Sequence, residues 1–243
     1  ELTAAAISKA AAGPGERVID VGCGCGDTSI ALAERGASVW GIDISAPMLD
    51  RARLRAGDSQ GVQFSQVDAA TAEFTPDHDL IFSRFGVMFF AEPHAAFGNL
   101  ASALTPSGRL VFLCWQAAAD NAWVATAGRA VQPFLPVSET RPDPKAPGPF
   151  AFADPEYITD ILQSAGLSQI QVEPVSARLN LGATLDEAMA LQGEIGPMAR
   201  VLAGLEDEQR AEALAAARQA LAAHLSDDGV LLDAACWLVS ARR

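Results

Sequence analysis

The chain has 243 residues, with 17 Lys and Arg against 30 Asp and Glu, and carries a formal net charge of -13. At about 150 residues per domain, that length suits one large α/β domain, or one with a modest appendage. Binding to a phosphate backbone needs clustered basic residues, and Lys9 and Lys145 are the only lysines. Nucleic acids and anionic membranes are therefore not expected partners.

No stretch reaches the roughly 18 to 20 uninterrupted apolar residues of a membrane span. Residues 1–12 lack the basic start and apolar centre of a secretory signal, and the chain begins at Glu1 without an initiator methionine, so further residues are expected upstream. Cys23, Cys25, Cys114 and Cys236 show no metal-ligand spacing. Reduced thiols, a cytoplasmic location and no bound metal are the expectation.

In chain order, residues 17–22 (RVIDVG) are a β-branched strand, 27–36 (DTSIALAERG) a helix with Gly36 as its cap, and 38–45 (SVWGIDIS) a second strand. Ala46 to Ala56 reads as a helix with Ser45 as N-cap and Pro47 in the first turn. Strands follow at 62–68 and 79–85, then a helix at 93–104, a Pro-Ser-Gly turn at 106–108 and an apolar strand at 109–115. Residues 132–154 are crowded with proline and read as an extended surface loop. A helix at 155–165 ending at Gly166 precedes a strand at 168–175, two amphipathic helices near 184–202 and 207–225, and a last strand at 229–243. The alternation predicts an α/β fold with a doubly wound, mostly parallel sheet. The two late helices read as an insertion between the last two strands.

The segment VIDVGCGCGDTSIALA places Gly22, Gly24 and Gly26 where a strand turns into a helix, and Asp43 ends the next strand. Glycines there allow positive φ and close backbone approach, and a carboxylate one strand over suits ribose hydroxyls, so the pattern describes a nucleoside site. A dinucleotide fingerprint read from Gly22 would put Asp27 at its third glycine, where a carboxylate competes with a pyrophosphate for the helix N-terminus. Read from Gly24, the third position is Ser29. Tyr157 is followed four residues on by Ile161, so no Tyr-x-x-x-Lys pair exists, and no lysine follows the glycines as a Walker loop requires. A lone glycine triplet is also compatible with a plain tight turn.

Five successive stretches, VIDVGCGCGDTSIALA, VWGIDIS, FSQVDAA, DLIFSRFGVMFF and LTPSGRLVFLCWQ, resemble in order and spacing the motifs of class I S-adenosylmethionine-dependent methyltransferases of the small-molecule type. The resemblance is to the group related to the ubiquinone and menaquinone biosynthesis methyltransferases, and it covers residues 14–116. It implies a Rossmann-like seven-stranded sheet with an antiparallel last strand, in one methyltransferase domain spanning 1–243. A variable loop at 116–154 and the helical insertion at 182–225 would form the acceptor lid.

The same resemblance implies that Asp20 and the backbone of Gly22, Cys23 and Gly24 hold the methionine part of the cofactor. Asp43 would take the ribose hydroxyls, and Ile44 and Met48 would pack on the adenine. Asp68, with the Ala69 backbone, would meet the adenine amino group, and Ser83 would close over the methionine end. S-adenosylmethionine, whose product is S-adenosylhomocysteine, carries an ammonium and a sulfonium but no phosphate, so carboxylates suit its site. Asp20 mid-strand has no ready structural explanation, whereas Asp68 is equally placed to cap a turn, and Met48 to fill the core.

Methyl transfer needs an acceptor placed close to the methyl and water kept out, so a catalytic base is optional, and none is assigned. His78, in a Pro-Asp-His-Asp stretch, reads as a solvated loop residue. His94 and His224 read as surface residues at a helix start and a helix end. Related quinone-pathway enzymes often carry two histidines after the Ser-Arg-Phe motif; here those positions are Met88 and Phe89. Phe85, Met88, Phe89 and Phe90 form either an apolar acceptor wall or core, and Trp115 and Trp123 are further pocket candidates. Arg84 suits either an anionic acceptor or a neighbouring carboxylate. Two other readings stand beside methyl transfer to O, N or C of a small molecule: an NAD(P)-dependent oxidoreductase, and a non-catalytic S-adenosylmethionine-binding protein.

Overall fold

The computed structural model describes residues 1–135, 143–194, 202 and 204–243. By its internal contacts the chain divides into two compact units, one of residues 1–115, 145–175 and 236–243, the other of 116–144 and 176–235.

The first unit is built on β1 (Arg17–Val21), β2 (Ser38–Asp43), β3 (Val62–Gln66), β4 (His78–Arg84) and β5 (Leu104–Trp115). They lie in the order β3-β2-β1-β4-β5, and β1, β2, β3, β4 and β5 pair in parallel. The path continues through β8 (Gly229–Arg242) to β6 (Ser168–Asn180). Residues 236–242 of β8 run antiparallel to β5, from Trp115 opposite Cys236 to Arg109 opposite Arg242. This is the expected seven-strand path with an antiparallel last strand. A short β7 (Leu225–Ser226) pairs with the start of β8 beside it.

Central strands of a parallel sheet are covered on both faces, which is why Val18 to Val21 and Leu80 to Ser83 are buried almost without alternation. Ile19, Ile42, Ile81, Phe97, Phe112 and Phe152 share one core, each contributing about 1.5–3 kcal/mol of burial. The covering helices are α1 (Leu2–Ala10), α2 (Asp27–Ala33), α3 (Ala46–Ala56), α4 (Pro93–Ala103) and α6 (Pro155–Ser164). Asp154 caps α6, its side chain accepting from the Glu156 amide. Ser45 occupies the N-cap of α3 without a side-chain cap bond. It donates its own amide to Asp43 instead, at 2.8 Å.

The second unit holds α5 (Ala122–Val131), α7 (Leu185–Glu194) and α8 (Asp207–Ala222). Ala127, Val131, Leu202, Leu205, Ala213 and Ala217 form its core. Asn121 is fully buried there and fully bonded: it donates to the carbonyls of Gln116 and Ala117 and accepts from Trp123 Nε1 and the Ala235 amide.

Several expectations shift. The strand expected at 109–115 begins at Leu104, because Leu104 already pairs with His78; residues 105–108 then bulge before Leu80 meets Arg109. The strand expected at 168–175 runs to Asn180. The segment 116–154, expected as a loop, contains α5, and α1 was not anticipated. His78 is not a solvated loop residue but the buried first residue of β4, its ring near-parallel to Trp40 at 6.2 Å. Residues 136–142, 195–201 and 203, within the two segments expected to carry the acceptor lid, lie outside the described residues. Among the described residues no helix is long and apolar enough to cross a membrane.

Candidate functional site

The strand order reverses direction between β1 and β4, and in open α/β sheets ligands bind outside the carboxyl ends of the strands at that point. A cleft of about 900 Å³ opens there. The loop after β1, the ends of β2, β3 and β4, and the first turn of α4 line it.

The loop after β1 takes its shape from Gly22, Gly24 and Gly26, with φ of +66°, +55° and +84°. It is strapped to the end of β2: the amides of Gly22 and Cys23 both donate to the Ile42 carbonyl, and the Gly24 amide to Asp43 Oδ2 at 2.9 Å. The Gly26 amide turns back to the Cys23 carbonyl. A pyrophosphate at such a loop needs free N–H donors, and these four are engaged within the protein.

Asp43 is the pivot of this arrangement. Its Oδ2 accepts from Gly24 and its Oδ1 from the Ser45 amide, so the carboxylate is fixed at the cleft edge with lone pairs to spare. Beside it Ile44 is 71% exposed and Met48 43% exposed, both on the cleft wall. Met48 Cε would sit 3.1 Å from a Cβ on Gly24. Large apolar side chains left open next to a fixed carboxylate suit the flat face of a base beside ribose hydroxyls. Asp68 and Ala69 also line the cleft. Asp68 caps a turn, its Oδ1 accepting from the Ala70 amide at 2.9 Å and its carbonyl from Thr71 and Ala72.

Asp20 lies behind the loop, fully buried, and does not line the cleft. Its Oδ2 accepts from Thr28 Oγ1 at 2.7 Å and Ser29 Oγ at 2.6 Å, while Oδ1 has no partner among the described residues. Burial pushes its carboxyl up to about 6, against the pull of the two hydroxyls. Ser83 is also buried behind the cleft, donating to the Val21 carbonyl at 2.8 Å and accepting from the Gly86 amide. Cys23 lines the cleft, and burial, reinforced by the charges of Asp20 and Asp43, raises its thiol far above the ordinary range, which favours the protonated thiol over the thiolate.

At the end of β4, Arg84 reaches α1, where it donates to Thr3 Oγ1 at 3.0 Å, and lies 3.7 Å from Asp27 Oδ2. Asp27 is itself held by Arg55 at 2.5 Å, and this partner keeps its carboxyl below the usual range. Of the two roles open to Arg84, the structure shows the pairing with a carboxylate. Phe85 follows with φ +63°, a left-handed conformation that costs a bulky residue about 1–2 kcal/mol. Its ring lines the cleft and stacks on Trp115 at 4.1 Å, with 5° between the planes. Phe89, 56% exposed, and Phe90 extend the same wall.

Of the side chains expected in the acceptor pocket, Arg84 and Phe85 line the cleft. Trp115 stands behind Phe85, and Met88 is buried, its Sδ accepting from the Trp115 amide and its carbonyl from the Gly148 amide. Asp27, Thr28, Val67, Thr71 and Glu92 also line the cleft and were not anticipated. The signal for Asp27 was its place directly after the third glycine; the others lie where the fold alone brings chain into range. No histidine lines the cleft among the described residues.

Residues 18–108 match the family model described as a methyltransferase domain. A demethylmenaquinone methyltransferase of Thermus thermophilus is 40% identical over 104 residues, covering 40% of this chain and 46% of that protein. The Deinococcus radiodurans protein of the same name is 36% identical over 137 residues, 54% of this chain and 56% of that one. An uncharacterised Mycobacterium tuberculosis protein is 34% identical over 112 residues, and the match takes in 45% of this chain and 40% of that one. The chain thus spans about half or less of the curated relatives it matches. Among solved structures, the YcgJ protein of Bacillus subtilis superposes with a TM-score of 0.66 at 18% identity, over 99% of this chain and 97% of that one. A Haemonchus contortus phosphoethanolamine N-methyltransferase bound to phosphomonomethylethanolamine and S-adenosylhomocysteine superposes at 0.61 with 20% identity, over 100% of this chain and 52% of that one. At these identities the structures establish a shared Rossmann-like fold.

Proposed function

We propose that this chain, whose residues 18–108 match a methyltransferase domain, is a class I S-adenosylmethionine-dependent methyltransferase that acts on a small molecule. The observation that carries the reading is the glycine loop strapped by its own amides to Ile42 and Asp43. That loop has carboxylate around it and four of its amides engaged within the protein, which suits a cationic, phosphate-free nucleoside better than a dinucleotide.

Asp43 would hold the ribose hydroxyls with charge-assisted bonds, and Ile44 and Met48 would cover the base, with Asp68 and Ala69 at its edge. Gly22, Cys23 and Gly24 would bring backbone close to the methionine part. The unpartnered Asp20 Oδ1 supplies negative potential from behind the loop, and Ser83 fixes the loop's back wall. The cofactor would supply a methyl group already activated on a sulfonium. What remains for the chain in an in-line displacement is to align the acceptor and exclude water. Phe85, Phe89 and Phe90, which line the cleft, would do both. A neutral amine acceptor would need no base, whereas a hydroxyl or carbon-acid acceptor would need its proton removed.

The test is transfer of labelled methyl from S-adenosylmethionine to a panel of amine, phenol and carbon-acid acceptors, with formation of S-adenosylhomocysteine followed in parallel. Transfer to any class supports the reading. Tight S-adenosylhomocysteine binding with no transfer to any class would replace it with a non-catalytic binding protein.

A further inference from the structure

We infer that the methyl acceptor is an uncharged, planar, largely apolar molecule stacked on Phe85, and that phosphorylated acceptors are rejected. The inference rests on the methyltransferase reading above and adds the class of its acceptor.

Phe85 is the residue on which it turns. The left-handed backbone at this position is unusual for a bulky side chain, and it directs the ring to where it both lines the cleft and lies parallel to Trp115 at 4.1 Å. Trp115, which does not line the cleft, covers one face of the Phe85 ring. A planar molecule entering from the cleft would extend this stack by one layer, the offset-parallel arrangement that aromatic rings favour. Phe89 and Phe90 prolong the surface, and Phe89 stands 56% exposed. An aromatic surface of this kind is covered by water at a cost unless an apolar ligand replaces it.

Charge decides against an anionic acceptor. Asp27, Asp43, Asp68 and Glu92 all line the cleft, and Arg84 is the basic side chain among the described lining residues. Its guanidinium is engaged with Thr3 and stands close to Asp27. To hold a phosphate, Arg84 would have to give up these partners, and the phosphate's charge would enter a field set by Asp43, Asp68 and Glu92. Specificity against anions is thereby built from repulsion as well as from the apolar wall.

The experiment uses the whole chain saturated with S-adenosylhomocysteine, whose binding is first established by calorimetry. The probes are 2-naphthol, planar and uncharged, and phosphoethanolamine. 2-Naphthol should bind saturably and phosphoethanolamine should give no heat. Phe85→Gly removes the ring while glycine accepts the left-handed backbone, and it should weaken 2-naphthol about tenfold or more with S-adenosylhomocysteine affinity held within about twofold. Phe85→Tyr, which keeps the ring, should bind 2-naphthol within about threefold of the unaltered protein. If S-adenosylhomocysteine binds but 2-naphthol does not, or phosphoethanolamine binds, or Phe85→Gly binds 2-naphthol unchanged, the acceptor class is wrong and the methyltransferase reading stands. If S-adenosylhomocysteine itself fails to bind, both fall.

Discussion

Gly22 and Gly86 meet backbone to backbone: a Cβ on Gly22 would lie 2.7 Å from the Gly86 Cα, and one on Gly86 would lie 2.6 Å from the Val21 carbonyl oxygen. This contact joins the loops after β1 and β4 at the point where the sheet reverses its order, and so fixes both sides of the cleft. Gly22→Ala would add a left-handed alanine to the clash, and Gly86→Ala the clash alone. Each should lower stability by about 2 kcal/mol or more, read as a reduced urea midpoint. An unchanged midpoint for either would show that the two loops give way freely.

Asp43→Asn keeps the side chain's shape but removes its charge and one of its two acceptor oxygens, so either Gly24 or Ser45 loses its partner. S-adenosylhomocysteine affinity should fall about tenfold or more. Calorimetry on the variant checks this, and an undiminished affinity would remove Asp43 from the ribose site.

Asp20 makes stability depend on pH. Its carboxyl is raised from 3.8 to about 6 in the folded chain, so the folded state holds the proton more tightly than the unfolded one. The group's contribution is therefore greatest below about pH 4, is lost as pH rises through about 6, and is flat above, an effect of roughly 2–3 kcal/mol. Asp20→Asn cannot titrate. The stability of the unaltered protein minus that of the variant, from urea unfolding at stepped pH, should fall between about pH 4 and 6; a rise across that range would contradict the sign.

In the second unit, Asn121→Ala removes four hydrogen bonds from a fully buried cluster, two donated by Nδ2 to the Gln116 and Ala117 carbonyls and two accepted by Oδ1 from Trp123 Nε1 and the Ala235 amide. The expected loss is about 3 kcal/mol, measured by chemical unfolding. A loss below about 1 kcal/mol would mean that water enters and replaces the side chain.

The parallel sheet was legible because most of its strands carry a short apolar run and each connection carries a glycine or proline stop. α3 was read over Ala46 to Ala56 from Ser45 as N-cap and Pro47 in its first turn. What escaped was set by context. Pro106 and Gly108 read as a turn, yet Leu104 is drawn into β5 by its pairing with His78, and the turn survives as a bulge. α5 carried a signal in Trp123, Val124, Ala127 and Val131, which fall on one face and are buried, but the prolines from 133 onward obscured it. At the site, the resemblance named the loop, Asp43 and Asp68, while nothing in the order of residues could say that Arg84 would be engaged by Thr3, or that Met88 would turn inward to Trp115. Those outcomes belong to packing between elements far apart in the chain.

A cleft built for a cationic, phosphate-free nucleoside is tested by calorimetric titration of the unaltered chain with S-adenosylhomocysteine and, separately, with NADH. S-adenosylhomocysteine should bind saturably and NADH should give no heat. Binding of NADH with no heat from S-adenosylhomocysteine would contradict it.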